Sequence, residues 1–144
     1  MHFSVIIPSF NQDKYIRSTL ENVVELKKQA FAKGILLEII LIDNKSNEKV
    51  QLIINQFKSQ IDYLDISSDK GQYDAINKGI SICNAEYWTW LNTDDQIDIK
   101  GFFKLIEILK ANPDIDYIYG GIQYIDEKGD ELHYIEAENI SLNS

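Results

Sequence analysis

Asp94 and Asp95 stand side by side in YWTWLNTDDQ, at the end of an apolar run. Neighbouring carboxylates repel, so such a pair is solvated, caps a helix or shares a cation. Hard carboxylate oxygens suit Mg²⁺ or Mn²⁺, which take one or two carboxylates and fill the remaining positions with phosphate oxygens and water. Capping is the rival reading, because acidic residues favour a helix start. Asp98 already occupies that place ahead of the helical pattern over 98–111, which leaves the pair too early for a cap. A metal role is the expectation for Asp94 and Asp95.

The rest of the chain says what such a cation would hold. No G-x-G-x-x-G turn and no G-x-x-x-x-G-K-[ST] loop follows any strand-like segment, so a glycine cradle for diphosphate is missing. The formal net charge is −9, which argues against nucleic acid or an anionic membrane surface as the main partner. For so acidic a chain, a shared cation is the simplest way to hold a nucleoside diphosphate, and it would also stabilise a departing diphosphate. Lys70 and Lys78 are positive charges nearby, and the start of the helix carrying Lys78 could face phosphate. Asp43, at the end of an apolar strand, could accept a hydrogen bond from a base or ribose, or form an Asx turn for NKSN. Cys83 is the single cysteine, without Cys or His at metal spacing, so neither an internal disulfide nor a zinc site is expected, and a cytoplasmic setting fits.

The elements that must position these residues alternate. FSVIIP (3–8) is a short apolar run stopped by Pro8 and predicts a buried strand; Ile16, Leu20, Val23, Val24 and Phe31 then recur near helical spacing. Gly34 ends that helix before a second buried strand, ILLEIILID (35–43). A helix with Val50, Ile53, Ile54 and Phe57 follows, then a strand over 61–67 and a helix with Tyr73, Ile76, Ile80 and Cys83 on its apolar face. AEYWTWLN (85–92) predicts a fourth strand, 98–111 a helix, DYIYGGIQYID (116–126) a fifth strand, and EKGD (127–130) a hairpin turn into 131–137. The expected fold is therefore α/β: one compact domain over 1–144, a mostly parallel Rossmann-like sheet with helices on both faces, and a C-terminal hairpin. In such a sheet the strands' carboxyl ends share one edge, where ligands bind. That rule gathers PSFNQ, DNKS, SDKGQ and NTDDQ into one place.

Taken in that order, VIIPSFNQDKYIRSTLENV, EIILIDNKSNE, GQYDAINKGI and LNTDD resemble the N-terminal half of a family 2 glycosyltransferase of the GT-A fold. The resemblance runs over roughly 3–126 and is specific through four motifs in sequence, GQYDAINKGI with LNTDD being similar to bacterial enzymes that build surface polysaccharides. It implies a metal-dependent (Mn²⁺ or Mg²⁺) transfer of a sugar from a UDP- or GDP-type donor to a saccharide or lipid-linked hydroxyl acceptor, with inversion. It also implies a cytoplasmic location and peripheral membrane association through a parent protein. By similarity, Pro8, Ser9 and Asn11 sit by the nucleotide, Asp43 recognises the base, and Lys70 and Gly71 lie near ribose and diphosphate. Asp74 and Asn77 shape the sugar pocket. Asn92-Thr93-Asp94-Asp95 corresponds to the family's metal motif, Asp94 the direct ligand and Asp95 beside it. Asn92 stands where an aspartate is common, and its amide can still bond ribose or bound water.

Family members continue into an acceptor-binding region that supplies the catalytic base, so the resemblance also implies that this chain stops short of it and assigns no base. Asp126, Glu127, Asp130 and Glu131 read as solvated turn residues, and His133 as a strand histidine rather than a metal ligand. Two rivals remain at this point. One is a nucleotide-sugar-binding module without catalysis; the other is a Mg²⁺-dependent phosphatase or receiver, which would need an aspartate directly after the first strand, where PSFN has none.

Overall fold

The structure, a computed structural model, describes residues 1–137. Its elements are β1 (His2–Ser9), α1 (Ile16–Ala32), β2 (Leu36–Asp43), α2 (Glu48–Phe57), β3 (Tyr63–Ile66), α3 (Gln72–Ile82), β4 (Tyr87–Trp90), α4 (Ile99–Ala111), β5 (Ile122–Ile125) and β6 (Glu131–Ile135). By its internal contacts the chain divides into two compact units, Met1–Ile97 and one that begins at Asp98.

In the first unit β3-β2-β1-β4 form a four-stranded sheet whose pairings are all parallel. β1 and β2 run side by side from His2↔Leu36 to Ser9↔Asp43 and are the inner strands. Strands covered on both faces need apolar residues at consecutive positions rather than at alternate ones, and Val5, Ile6 and Ile7 facing Ile39, Ile40 and Leu41 meet that need. Side chains still alternate between faces. Ile6, Ile40 and Ile42 turn one way, onto Ala75 of α3. The intervening residues turn to the other face, where α1 packs on β2 and against α2.

Two helix faces differ from expectation. α1 buries Ile16, Thr19, Leu20, Val23, Leu26 and Ala30, while Phe31 is 76% exposed. A stripe drawn through Leu26 and Ala30 keeps the helical period to the last turn, and Phe31 falls outside it. On α3 the buried residues are Ala75, Ile76 and Gly79, and Tyr73 is 81% exposed. Small residues win that face because α3 lies hard on β1: a Cβ built on Gly79 would stand 2.4 Å from Ile6 Cγ2.

The second unit departs further. Only Ile122–Ile125 of the expected strand 116–126 is extended, and it pairs antiparallel with β6 rather than joining the parallel sheet. Gly120 and Gly121 break the run. Gly121 lies under Tyr134, whose hydroxyl would be 2.3 Å from any Cβ there, so strand pairing begins only after the glycines. The turn is as expected: Gly129 takes φ 87°, and Asp126 Oδ1 accepts from the amides of Lys128 and Asp130. His133 sits on β6 beside the ring of Tyr124. Asp98 is the N-cap of α4, its carboxylate accepting from Lys100 N at 3.1 Å.

One buried carboxylate fixes the sheet edge. Asp43 is 0% exposed. Its Oδ1 accepts from Ser9 Oγ (2.8 Å) and Ser46 Oγ (2.6 Å), and its Oδ2 from Ser46 N (2.9 Å) and Gln51 Nε2 (2.6 Å). The end of β1, the turn after β2 and the first turns of α2 are thus held by one group.

Two predictions follow from this packing. Asp43→Ala strands buried donors at about 1–3 kcal/mol each, and Asp43→Asn is expected to lose less, because its oxygen can keep the two N–H donors at the Oδ2 position while its amide faces the two serine hydroxyls, which can also accept; urea unfolding measures both losses. Gly79→Ala is expected to lose roughly 1–3 kcal/mol by overpacking, and combining it with Ile6→Ala to cost clearly less than the sum of the two single changes.

Candidate functional site

The carboxyl ends of β1, β2, β3 and β4 open on one edge, as parallel pairing requires. The loops leaving them enclose a cleft of about 400 Å³. Pro8, Phe10 and Gln12 line it from the first loop, Asn44 from the second, Asp69, Gly71 and Gln72 from the third, and Asn92, Thr93 and Asp94 from the fourth. A larger groove of about 620 Å³ lies at the opposite end of the strands, among Phe31, Ile35, Leu36 and the Lys27–Asp62 ion pair. Size alone favours that groove. Convergence of polar groups from four strand ends favours the cleft.

Hydrogen bonds stitch the loops together. Asn11, at φ 53°, donates its backbone N–H to Ser46 Oγ (2.9 Å), and its Oδ1 accepts from Asn47 N (2.8 Å). Asn44 Oδ1 accepts from Asp69 N (3.1 Å), and Asp69 Oδ1 accepts from Gly71 N (2.8 Å). Lys70 N donates to Asp74 Oδ2 at 3.0 Å. Lys78 Nζ reaches Ser68 O (3.0 Å) and lies 3.9 Å from Asp74 Oδ2, so both charges brace the loop ahead of α3. Gly71 takes φ 117°, a backbone conformation that side chains resist, and a Cβ there would meet nothing within 4 Å. The turn therefore presents bare backbone to the cleft.

Of the residues singled out by sequence, Pro8, Ser9, Gly71, Asn92, Thr93 and Asp94 line the cleft. Asn11, Asp43, Lys70, Asp74, Asn77 and Asp95 are not among its lining residues. For Asp43 this is a correction. Both of its oxygens are spent inside the protein, so of its two readings the turn-forming one describes it, and the next residue, Asn44, faces the ligand space instead. Asn11 and Asp74 are likewise occupied with holding loops, and the Lys70 and Asn77 side chains are exposed.

The fourth loop is braced from behind by residues the sequence reading missed. Thr19, buried on α1, donates to Asp95 O at 2.9 Å. Asn22 makes a two-way clamp, donating to Ile97 O (3.1 Å) and accepting from Ile97 N (2.8 Å). The available signal was Thr19 itself, a polar residue inside the apolar stripe of α1. Phe10, Gln12, Asn44, Asp69 and Gln72 were missed as individuals, although each lies in one of the loop segments picked out as a ligand edge.

The doublet divides its labour. Both residues are exposed, and of the two only Asp94 lines the cleft. Asp95 Oδ2 accepts from Asn92 Nδ2 at 3.3 Å, and Asn92 Oδ1 accepts in turn from Gln72 Nε2. Partial burial, and after it the neighbouring Asp94 charge, push the Asp95 carboxyl above the ordinary aspartate range, while the Asn92 hydrogen bond opposes them. Among the described residues no group of three or more His, Cys, Asp or Glu side chains could hold a metal ion. The doublet offers two adjacent carboxylates, a donor set that fits Mg²⁺ or Mn²⁺ completed by ligand oxygens and water rather than an all-protein cage.

Comparisons with known proteins agree with this geometry. Poly-beta-1,6-N-acetyl-D-glucosamine synthase of Staphylococcus epidermidis is 29% identical over 119 residues, 81% of this chain and 27% of the synthase. Staphylococcus aureus TarS (1–349), solved in complex with UDP, superposes with a TM-score of 0.62 at 19% identity, over 78% of this chain and 33% of that one. The mannosyltransferase PcManGT of Pyrobaculum calidifontis, solved with GDP-Man and Mn²⁺, gives a TM-score of 0.64 at 16% identity, over 85% of this chain and 35% of the other. These likenesses show the GT-A fold, and the chain spans about a third or less of each of these proteins. Residues 4–143 match the family described as "Glycosyl transferase family 2", and with four loops arranged as above on a parallel α/β sheet, the chain belongs to that family.

Proposed function

We propose that this chain is the donor-binding part of a glycosyltransferase that takes a sugar from a UDP- or GDP-type donor and passes it, with inversion, to a hydroxyl of a saccharide or lipid-linked acceptor in surface polysaccharide synthesis. The single observation that carries this reading is the cleft, where bare backbone at Gly71 and the Asp94 carboxylate face one space on a GT-A sheet. The ligands named with the two similar structures, UDP and GDP-Man with Mn²⁺, support the donor class. Pro8 and Phe10, the latter 57% exposed, give a base an apolar surface to lie on. Asn44, with Oδ1 engaged by Asp69 N, keeps its amide N–H groups for base or ribose oxygens. The start of α3 adds the positive end of a helix dipole for phosphate.

Asp94 and Asp95 are the residues that would hold Mn²⁺ or Mg²⁺, which when bound neutralises charge on the diphosphate. Acceptor binding and the catalytic base are assigned to no residue of this chain. The chain spans about a third of the structures it resembles, so donor binding and transfer are assayed separately. Consumption of donor, assayed beside binding, distinguishes a transferase from a nucleotide-sugar-binding module. Among the described residues no helix is long and apolar enough to cross a membrane. We place the chain in the cytoplasm, with any membrane association supplied by a parent protein.

Calorimetric titration with UDP and GDP, in Mn²⁺ and in EDTA, tests the reading. Asp94→Ala is expected to remove the metal-dependent increment, about tenfold or more in affinity (about 1.4 kcal/mol), while EDTA-state binding and the melting temperature are unchanged; equal affinity in Mn²⁺ and EDTA for the unaltered protein would sink the metal assignment. Phe10→Ala is expected to lose roughly 1–3 kcal/mol of nucleotide affinity with or without metal, the worth of one stacked base. For Asp95 the sign follows from its raised folded-state value: ionisation opposes folding, with no penalty below about pH 3.8 and the full penalty once the pH exceeds the shifted value. Asp95→Asn should therefore melt higher than the unaltered chain at neutral pH and lose that advantage on acidification through the ordinary aspartate value, as followed by melting curves across pH.

A further inference from the structure

We propose that Gln72 and Asn92 are positioning residues that couple the phosphate side of the cleft to the acidic doublet, so that nucleotide and cation bind cooperatively through a relay of two amides; this rests on the donor-binding reading above. The relay is directional. Gln72 Nε2 donates to Asn92 Oδ1, which leaves the Asn92 amide N–H groups for Asp95, met at Oδ2 across 3.3 Å. Both amides line the cleft, while Asp95 is exposed beside it without lining it, so a ligand touching Gln72 or Asn92 acts on that carboxylate through them.

The surroundings make Asp95 a suitable receiver. Its backbone is fixed at both polar ends, the carbonyl by Thr19 at 2.9 Å and the N–H by Asn92 O at 3.1 Å. With the main chain held, the carboxylate is the part left to respond. Gln72 is the first residue of α3, immediately after Gly71 at φ 117°, where a diphosphate would meet the helix start. Anion arriving there draws on the Gln72 amide, and that amide orients Asn92, hence Asp95. Asn92 is suited to the relay through its side-chain chemistry: an amide accepts at one end and donates at the other, whereas an aspartate in its place could only accept and would face Asp95 with like charge.

Linkage makes the claim quantitative, since nucleotide must tighten cation binding by the same factor as cation tightens nucleotide. The experiment measures Mn²⁺ affinity, by calorimetry and by the electron paramagnetic resonance signal of free Mn²⁺, with and without UDP or GDP. For the unaltered protein a coupling of about fivefold or more is expected. Gln72→Ala, the near-isosteric Gln72→Glu and Asn92→Ala should each cut it at least about twofold, what remains being the direct contact of cation with diphosphate oxygens, and Gln72→Ala with Asn92→Ala should do no more than either alone, because one relay can be broken only once. Asn92→Asp should raise affinity for Mn²⁺ alone by adding charge, yet lose the relay's share of the coupling. Melting curves confirm that the variants fold, and Gln72→Glu, at an exposed helix start, keeps the test open if a change at Asn92 unfolds the loop. Coupling kept in the single variants, or losses that add in the double variant, overturn the relay while leaving donor binding standing. An unaltered protein that binds neither nucleotide nor Mn²⁺ overturns both.

Discussion

A carboxylate taken out of water is tolerated only where hydrogen-bond donors replace the lost hydration, and Asp43 has four, drawn from Ser9, Ser46 and Gln51. The donors come from three different places, so satisfying the charge also fixes where β1 ends, how the chain turns after β2 and how α2 sits above them. The rest of the site is built outward from that point. Asn11 hangs on Ser46 and Asn47, Asn44 leaves β2 aimed at the cleft, and Asp69 is drawn in by Asn44. A carboxylate outside the cleft lining decides where the cleft-facing groups can be.

The fourth loop is organised on another basis. Asp94 and Asp95 repel each other, and the fold handles the conflict by giving them different surroundings. Asp94 stays at the cleft surface, while Asp95 is drawn back by Asn92 and its main chain is secured by α1 through Thr19, with Asn22 clamping Ile97 just beyond. The negative potential of the pair is what the proposed divalent cation would answer. In a chain of net charge −9, no comparable attraction for a diphosphate arises from the protein alone.

The hairpin unit follows different rules from the sheet. In β1 and β2 burial on both faces gives near-continuous apolar runs, and in β5 and β6 every residue is exposed. Ile and Leu recur in both, so composition does not distinguish them. Gly120 and Gly121 do, by interrupting a run that otherwise reads as one more strand of the sheet.

Sequence by itself determined the alternation of strands and helices, because runs such as SVII and EIILI have no stable place except between two helical layers, and a parallel sheet brings its strand ends to one edge. It also determined the cap at Asp98 and the acidic doublet, since both depend on short-range spacing. What it left undetermined was decided by contacts distant in the chain. Periodicity could not choose between Tyr73 and Gly79 for the buried face of α3, because that choice depends on how closely Ile6 approaches. Residue type could not choose between Asp43 and Asn44 as the group facing the ligand: both are polar and adjacent, and only the donors arriving from Ser9 and Gln51 turn one inward and leave the other at the cleft. Thr19 and Asn22 acquire their role only once the chain has returned 75 residues later to lie against them. Local pattern encodes the elements; the assignment of each polar side chain to structure or to ligand waits on which partners the tertiary fold delivers.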